Sequence, residues 1–131
     1  MRTRDSYEYA YLRVVPRVQM GEFMNVGVIV FCRTQRYLGL RVVYDAARLA
    51  AFVAPLRLDA VEAQLHMVQA IAQGAGPIGA LEQAEVFRWL VAPHSTVMQA
   101  SPVHTGLCEA PELALDALAA ALQRILRATP Q

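Results

Sequence analysis

"RVVPRVQMGEFMNVGVIVFC", residues 13–32, sets two apolar runs rich in β-branched residues on either side of a polar loop. The loop holds Pro16, Arg17, the Gly21-Glu22 pair and, where the second run begins, Asn25. Pro16 has no backbone N–H to give to a central strand, and Gly21 permits a tight turn. The stretch therefore reads as strand, wide turn, strand, and the chain opens with an antiparallel pair.

Strand patterning continues on both sides of that turn. "YEYAYLRVV" (7–15) alternates, with Tyr7, Tyr9, Tyr11, Arg13 and Val15 on one face and Ala10, Leu12 and Val14 on the other, so Arg13 shares its face with tyrosines. "NVGVIVFCR" (25–33) is apolar on both faces, as befits a strand covered on two sides. "YLGLRVVY" (37–44) turns Leu38, Leu40, Val42 and Tyr44 inward and Gly39 and Arg41 outward, and a four-residue link such as "RTQR" suits a hairpin. Three antiparallel strands in sequence order are expected.

Helical spacing then takes over. Asp45 is placed to cap "AARLAAFV", which Pro55 stops. Asp59 and Glu62 have capping-box spacing ahead of Val61, Leu65, Val68 and Ala72, with Gly74 as the C-terminal stop. "AEVFRWLVAP" (84–93) fits a short helix or a strand, and "STVMQAS" (95–101) reads as a fourth strand ending at Pro102. Pro111 opens a last helix with the stripe Leu115, Leu118, Leu122, Ile125 and Leu126, and Arg124 and Arg127 stand near its negative end. The expectation is one α+β domain over residues 1–131, an antiparallel sheet of about four strands with helices packed over it.

A chain of 131 residues buries about two thirds of the surface its unfolded form exposes, enough for a core. With 56% hydrophobic and 18% charged residues it lies far from disordered composition. The longest uncharged apolar run lies within residues 25–32, too short to cross a membrane. The opening "MRTRDSYEY" lacks the apolar core of a signal peptide, so a cytoplasmic location is expected, with Cys32 and Cys108 as reduced thiols. Charge is segregated: residues 1–57 carry nine Arg against four acids, net +5, and residues 58–131 three Arg against seven acids, net −4. There is no Lys, and guanidinium suits planar recognition of carboxylate or phosphate. Pairing of the two halves within the fold and attraction of an anionic partner both account for the segregation.

Several motifs fail on context. "GAGPIG" (74–79) spells the dinucleotide pattern, but a helix precedes it, Pro77 interrupts it and the acid the pattern needs is missing, so it reads as a loop. His94, His104 and Cys108 have ligand atom types without the spacing of a zinc site, and no metal or cofactor is expected. His66 reads as a partly buried helix residue. No nucleophile elbow is present, and a role for Ser101 with His104 depends on geometry that spacing does not give.

Two loops remain. One carries Arg13, Arg17, Glu22 and Asn25; the other, "QASPVHTGLCEAP", carries Gln99, Ser101, His104 and Thr105. If they meet at one edge of the sheet they present a cation, amides, hydroxyls and an imidazole, a set suited to an anion or a peptide carboxylate. The competing reading is structural: an Arg17–Glu22 ion pair across the turn, with Asn25, Ser101 and Thr105 bonding nearby backbone.

At "YEYAYLRVVPRV", "GEFMNVGVIVF" and "STVMQASPVHTGLCEAPELAL", with "RYLGLRVVYDAARL" and "FRWLVAP" between them, the chain resembles the bacterial family named domain of unknown function 3037. Arg13, Pro16, Arg17, Gly21, Glu22, Asn25, Gly27, Gln99, Ser101 and Pro102 fall on its pattern; Met20 stands where relatives often carry a basic residue. The resemblance implies a small bacterial protein with no assigned reaction, in a family whose genes often neighbour a HipA-like kinase. This chain has no kinase phosphate loop or catalytic loop of its own.

The expected function is a non-enzymatic accessory or binding module that engages a protein partner, such as that kinase, through the polar loops. The alternatives are an enzyme of phosphate or nucleic-acid metabolism using the N-terminal arginines and His104, and a nucleic-acid binder without catalysis. Self-association is compatible with the apolar composition.

Overall fold

The computed structural model describes residues 4–16, 20–53, 57–93 and 97–128. Its first strand, β1 (Asp5–Val14), is the axis of the sheet. β2 (Met24–Cys32) runs antiparallel beside it and β3 (Tyr37–Val42) beside β2, joined by the four-residue turn 33–36. The other side of β1 is shared end to end by β4 (Met98–Ala100), opposite Leu12–Val14, and β5 (His104–Cys108), opposite Asp5–Tyr9. The expected α+β class and strand order stand. The stretch after Pro102, read as a loop, holds the additional strand β5.

Both faces of the sheet are covered, as the doubly apolar β2 requires. On one face, Leu12, Val14, Ile29 and Phe31 pack against three helices: α1 (Ala46–Val53), α2 (Leu58–Ala72) and α4 (Gln83–Val91). Leu49, Val53, Val61, Leu65, Val68, Val86, Phe87 and Leu90 fill that layer, and Phe31 stacks on Phe87 with ring centroids 5.2 Å apart. On the other face, Val28 and Val30 meet Leu115 and Leu122 of α5 (Pro111–Ala128), flanked by Tyr7, Tyr9, Tyr11 and Tyr37. The tyrosine face of β1 is thus a second core layer. Ala119 completes the buried stripe of α5, whereas Ile125, expected in it, is 62% exposed.

Local signals held unevenly. Asp45 caps α1, its carboxylate accepting the Arg48 N–H at 3.0 Å, as expected; Pro55 lies outside the described residues. The capping box of α2 does not form. Arg57 occupies the cap position but its side chain bonds no helix N–H; its guanidinium instead holds the Asp59 carboxylate at 2.6 and 3.1 Å. Glu62 instead accepts the Tyr44 hydroxyl at 2.5 Å, so a distant segment has claimed the box's second carboxylate. His66 is exposed, on the outer side of α2. "GAGPIG" is more than a loop: its last four residues form a one-turn helix, α3 (Gly76–Gly79). A Cβ on Gly79 would lie 2.5 Å from the Gly74 backbone, so the turn folds back on itself only with glycine there.

Candidate functional site

Residues 24–32 hold one irregularity, and it shapes the site. Leu12 pairs with Gly27, but the next residue, Arg13, pairs with Asn25, so Val26 is an extra residue, a β-bulge. Val26 is fully buried with Ile29 and Phe31, and the slip carries Asn25 opposite Arg13. Gly27 makes room for the shift, since a Cβ there would lie 3.0 Å from the Arg41 carbonyl oxygen. Gln99 of β4 pairs with Arg13 from the other side. Cross-strand partners project to the same face, so Gln99, Arg13 and Asn25 form one polar row across three strands. Asn25 and Gln99, one from each polar segment, therefore flank Arg13 from the two strands on either side of β1.

The row is poorly satisfied. Arg13 Nε and Asn25 Oδ1 are buried, and neither has a hydrogen-bond partner among the described residues. A buried polar group left unpaired costs about 1–3 kcal/mol. Burial also pulls the Arg13 pKa down from the usual arginine value. The guanidinium carbon sits 3.8 Å from the Phe23 ring centroid, a cation–π contact. Phe23 is 47% exposed, so an apolar ring open to solvent borders the row at Arg13. Reading by residue type missed Phe23; a phenylalanine and two methionines in an otherwise polar turn were the available signal.

The other candidates separate. Ser101 is buried within the sheet: its Oγ accepts the Tyr11 N–H at 2.8 Å and donates to the Pro102 carbonyl at 2.9 Å, while its own N–H meets the Tyr11 carbonyl at 2.8 Å. The hydroxyl stitches the break between β4 and β5. His104 lies opposite Tyr9, four residues along β1 from Arg13 and hence roughly 13 Å away. Its ring packs at a tilt against Tyr9, with centroids 5.3 Å apart. Thr105 lies beyond it, opposite Glu8, and both are exposed. Glu22 is exposed on the turn, and Arg17 and His94 lie outside the described residues.

The described arginines do not gather on one face. Arg33 and Arg36 stand in the turn after β2, eight or more residues from Asn25 and so roughly 26 Å from the polar row, beside a groove that Leu81 and Glu82 also line. Arg57 is paired with Asp59, and Arg41 with Asp116 of α5 at 2.6 Å. Cys32 and Cys108 are free thiols, both buried. No three His, Cys, Asp or Glu side chains gather as metal ligands among the described residues, and no described helix is long and apolar enough to cross a membrane.

The family model described as "Protein of unknown function (DUF3037)" matches residues 9–122, a span that contains the whole polar row. No curated protein and no solved structure matches the chain.

Proposed function

Since the chain belongs to the DUF3037 family, its matched residues running from 9 to 122, we propose that it is a non-catalytic binding module whose polar row receives a group from a protein partner. The observation that carries this reading is the pair of unmet atoms, a donor at Arg13 Nε and an acceptor at Asn25 Oδ1, on adjacent strands. One group with both an acceptor and a donor, a peptide unit or a side-chain carboxamide, satisfies the two at once. A bare carboxylate offers only acceptors. Phe23 supplies apolar surface beside the row, the mixture of anchor and polar contact usual in protein recognition.

The placement of His104 and Ser101 favours this over the enzymatic alternative. Ser101 Oγ is committed to the sheet, and His104 is packed against Tyr9 at a distance from the arginine. The HipA-like kinase associated with such genes is the partner to try first. In a pull-down with purified kinase, Arg13→Leu and Asn25→Leu should each lose the complex while Arg57→Gln keeps it. Retention by both Leu variants contradicts the reading.

A further inference from the structure

A second concave site lies where no candidate loop reaches. Its walls come from the end of β3 and the following link (Arg41, Val43, Tyr44, Asp45), from α1 (Arg48) and from the last turns of α5 (Gln123, Leu126, Arg127), and it encloses about 610 Å³. Residues 41–45 and Arg48 of its lining fall within the span matched by the family model, and Gln123, Leu126 and Arg127 lie just past the end of that span at residue 122. We propose that it binds a compact phosphate oxyanion, free or as the diphosphate of a small nucleotide.

Three arginines reach the groove from three separate elements, so their convergence is a product of the tertiary fold and not of local sequence. Two of them are already partnered: Arg41 by Asp116, which lies outside the groove, and Arg48 by a hydrogen bond to the carbonyl of Leu126 in the groove wall. Such anchoring fixes a guanidinium before a ligand arrives and reduces the ordering cost of binding. The one acid in the wall, Asp45, directs its carboxylate to the Arg48 backbone N–H at the start of α1. The Tyr44 hydroxyl is turned to Glu62. With Asp116 on Arg41 included, three guanidinium groups stand against two carboxylates, and planar guanidinium forks match phosphate oxygens. Its volume lies within the range of small-molecule sites, roughly 300–1,000 Å³. The alternative is that Arg48 and Arg127 serve only to neutralise the carbonyl end of α5.

Titration of the full chain with inorganic pyrophosphate, followed by backbone amide NMR at constant ionic strength, separates the two. Saturable shifts confined to residues 41–48 and 123–127, weakened at least tenfold by Arg127→Gln and unchanged by Arg57→Gln, are expected. A parallel titration with a nucleoside diphosphate names the source: tighter binding points to the nucleotide, equal binding to phosphate alone, and either supports the site. Arg48→Gln, which also loosens the end of α5, is read together with its thermal melt. The proposal is overturned by the absence of saturation up to about 10 mM, by shifts spread equally over Arg33, Arg36 and Arg57, or by an Arg127→Gln variant that binds as well as the parent.

Discussion

Arg13 and Asn25 face each other across β1 and β2, and each carries a buried polar atom, Nε and Oδ1, that no described residue bonds. A regular ladder would set Arg13 against Val26; the bulge hides the valine in the core and brings the asparagine into its place. Two unmet groups kept side by side weaken the free fold, and a partner that bonds both recovers that loss.

It follows that Arg13→Met should leave the stability of the free chain unchanged or raise it, because methionine fills similar space without the buried, unpaired Nε–H. Urea unfolding measures this. A loss of more than about 2 kcal/mol would show that the guanidinium is bonded within the chain in solution.

Ser101→Ala removes the hydroxyl that accepts the Tyr11 N–H in the break between β4 and β5. The fold should lose about 1–3 kcal/mol, while binding at the polar row persists wherever the variant is folded. Denaturant midpoints and the pull-down, run on the same preparation, check both parts.

Leu115→Ala should cost about 2–5 kcal/mol, since Leu115 is buried against Val28 and Val30. Ile125→Ala, on the exposed side of the same helix, should change stability by less than about 0.5 kcal/mol. Thermal melts of the two variants verify which side of α5 faces the sheet.

The Tyr44 hydroxyl donates to Glu62, and this bond, with burial, pushes its pKa from 10.0 up to about 12. The unfolded chain therefore releases this proton first as pH rises. The contribution is complete below pH 10.0, falls between there and about pH 12, and is gone above. Tyr44→Phe should flatten that part of the stability curve, as seen in urea unfolding at stepped alkaline pH.

The first three strands were legible because alternation and β-branched residues state their faces directly, and the two-sided apolarity of 25–32 announced helices above and below. β5 was not, because "HTGLC" has little alternation and owes its strand form to pairing with the N-terminal half of β1. The cap of α2 was misread because the helix starts ahead of Asp59, at Leu58: Asp59 lies inside the first turn, where its carboxylate takes the Arg57 guanidinium and the Ala60 N–H, and Glu62 is taken by Tyr44. Within the site, Arg13, Asn25 and Gln99 could be chosen by residue type, but their alignment hangs on the bulge at Val26, which a run apolar on both faces conceals. His104 and Thr105 lie close to Gln99 in sequence, yet β5 runs along β1 and carries them away from it. The arginine groove assembles from β3, α1 and α5, so no local pattern announces it.

The polar row is tested most directly by selecting short peptides against the immobilised chain and measuring the affinity of an enriched peptide for the parent, Arg13→Leu and Asn25→Leu. Each leucine variant should bind at least tenfold more weakly, with unaltered circular dichroism, while Arg57→Gln binds as the parent does. Equal affinity across all four proteins would contradict the assignment of Arg13 and Asn25 as the receiving pair.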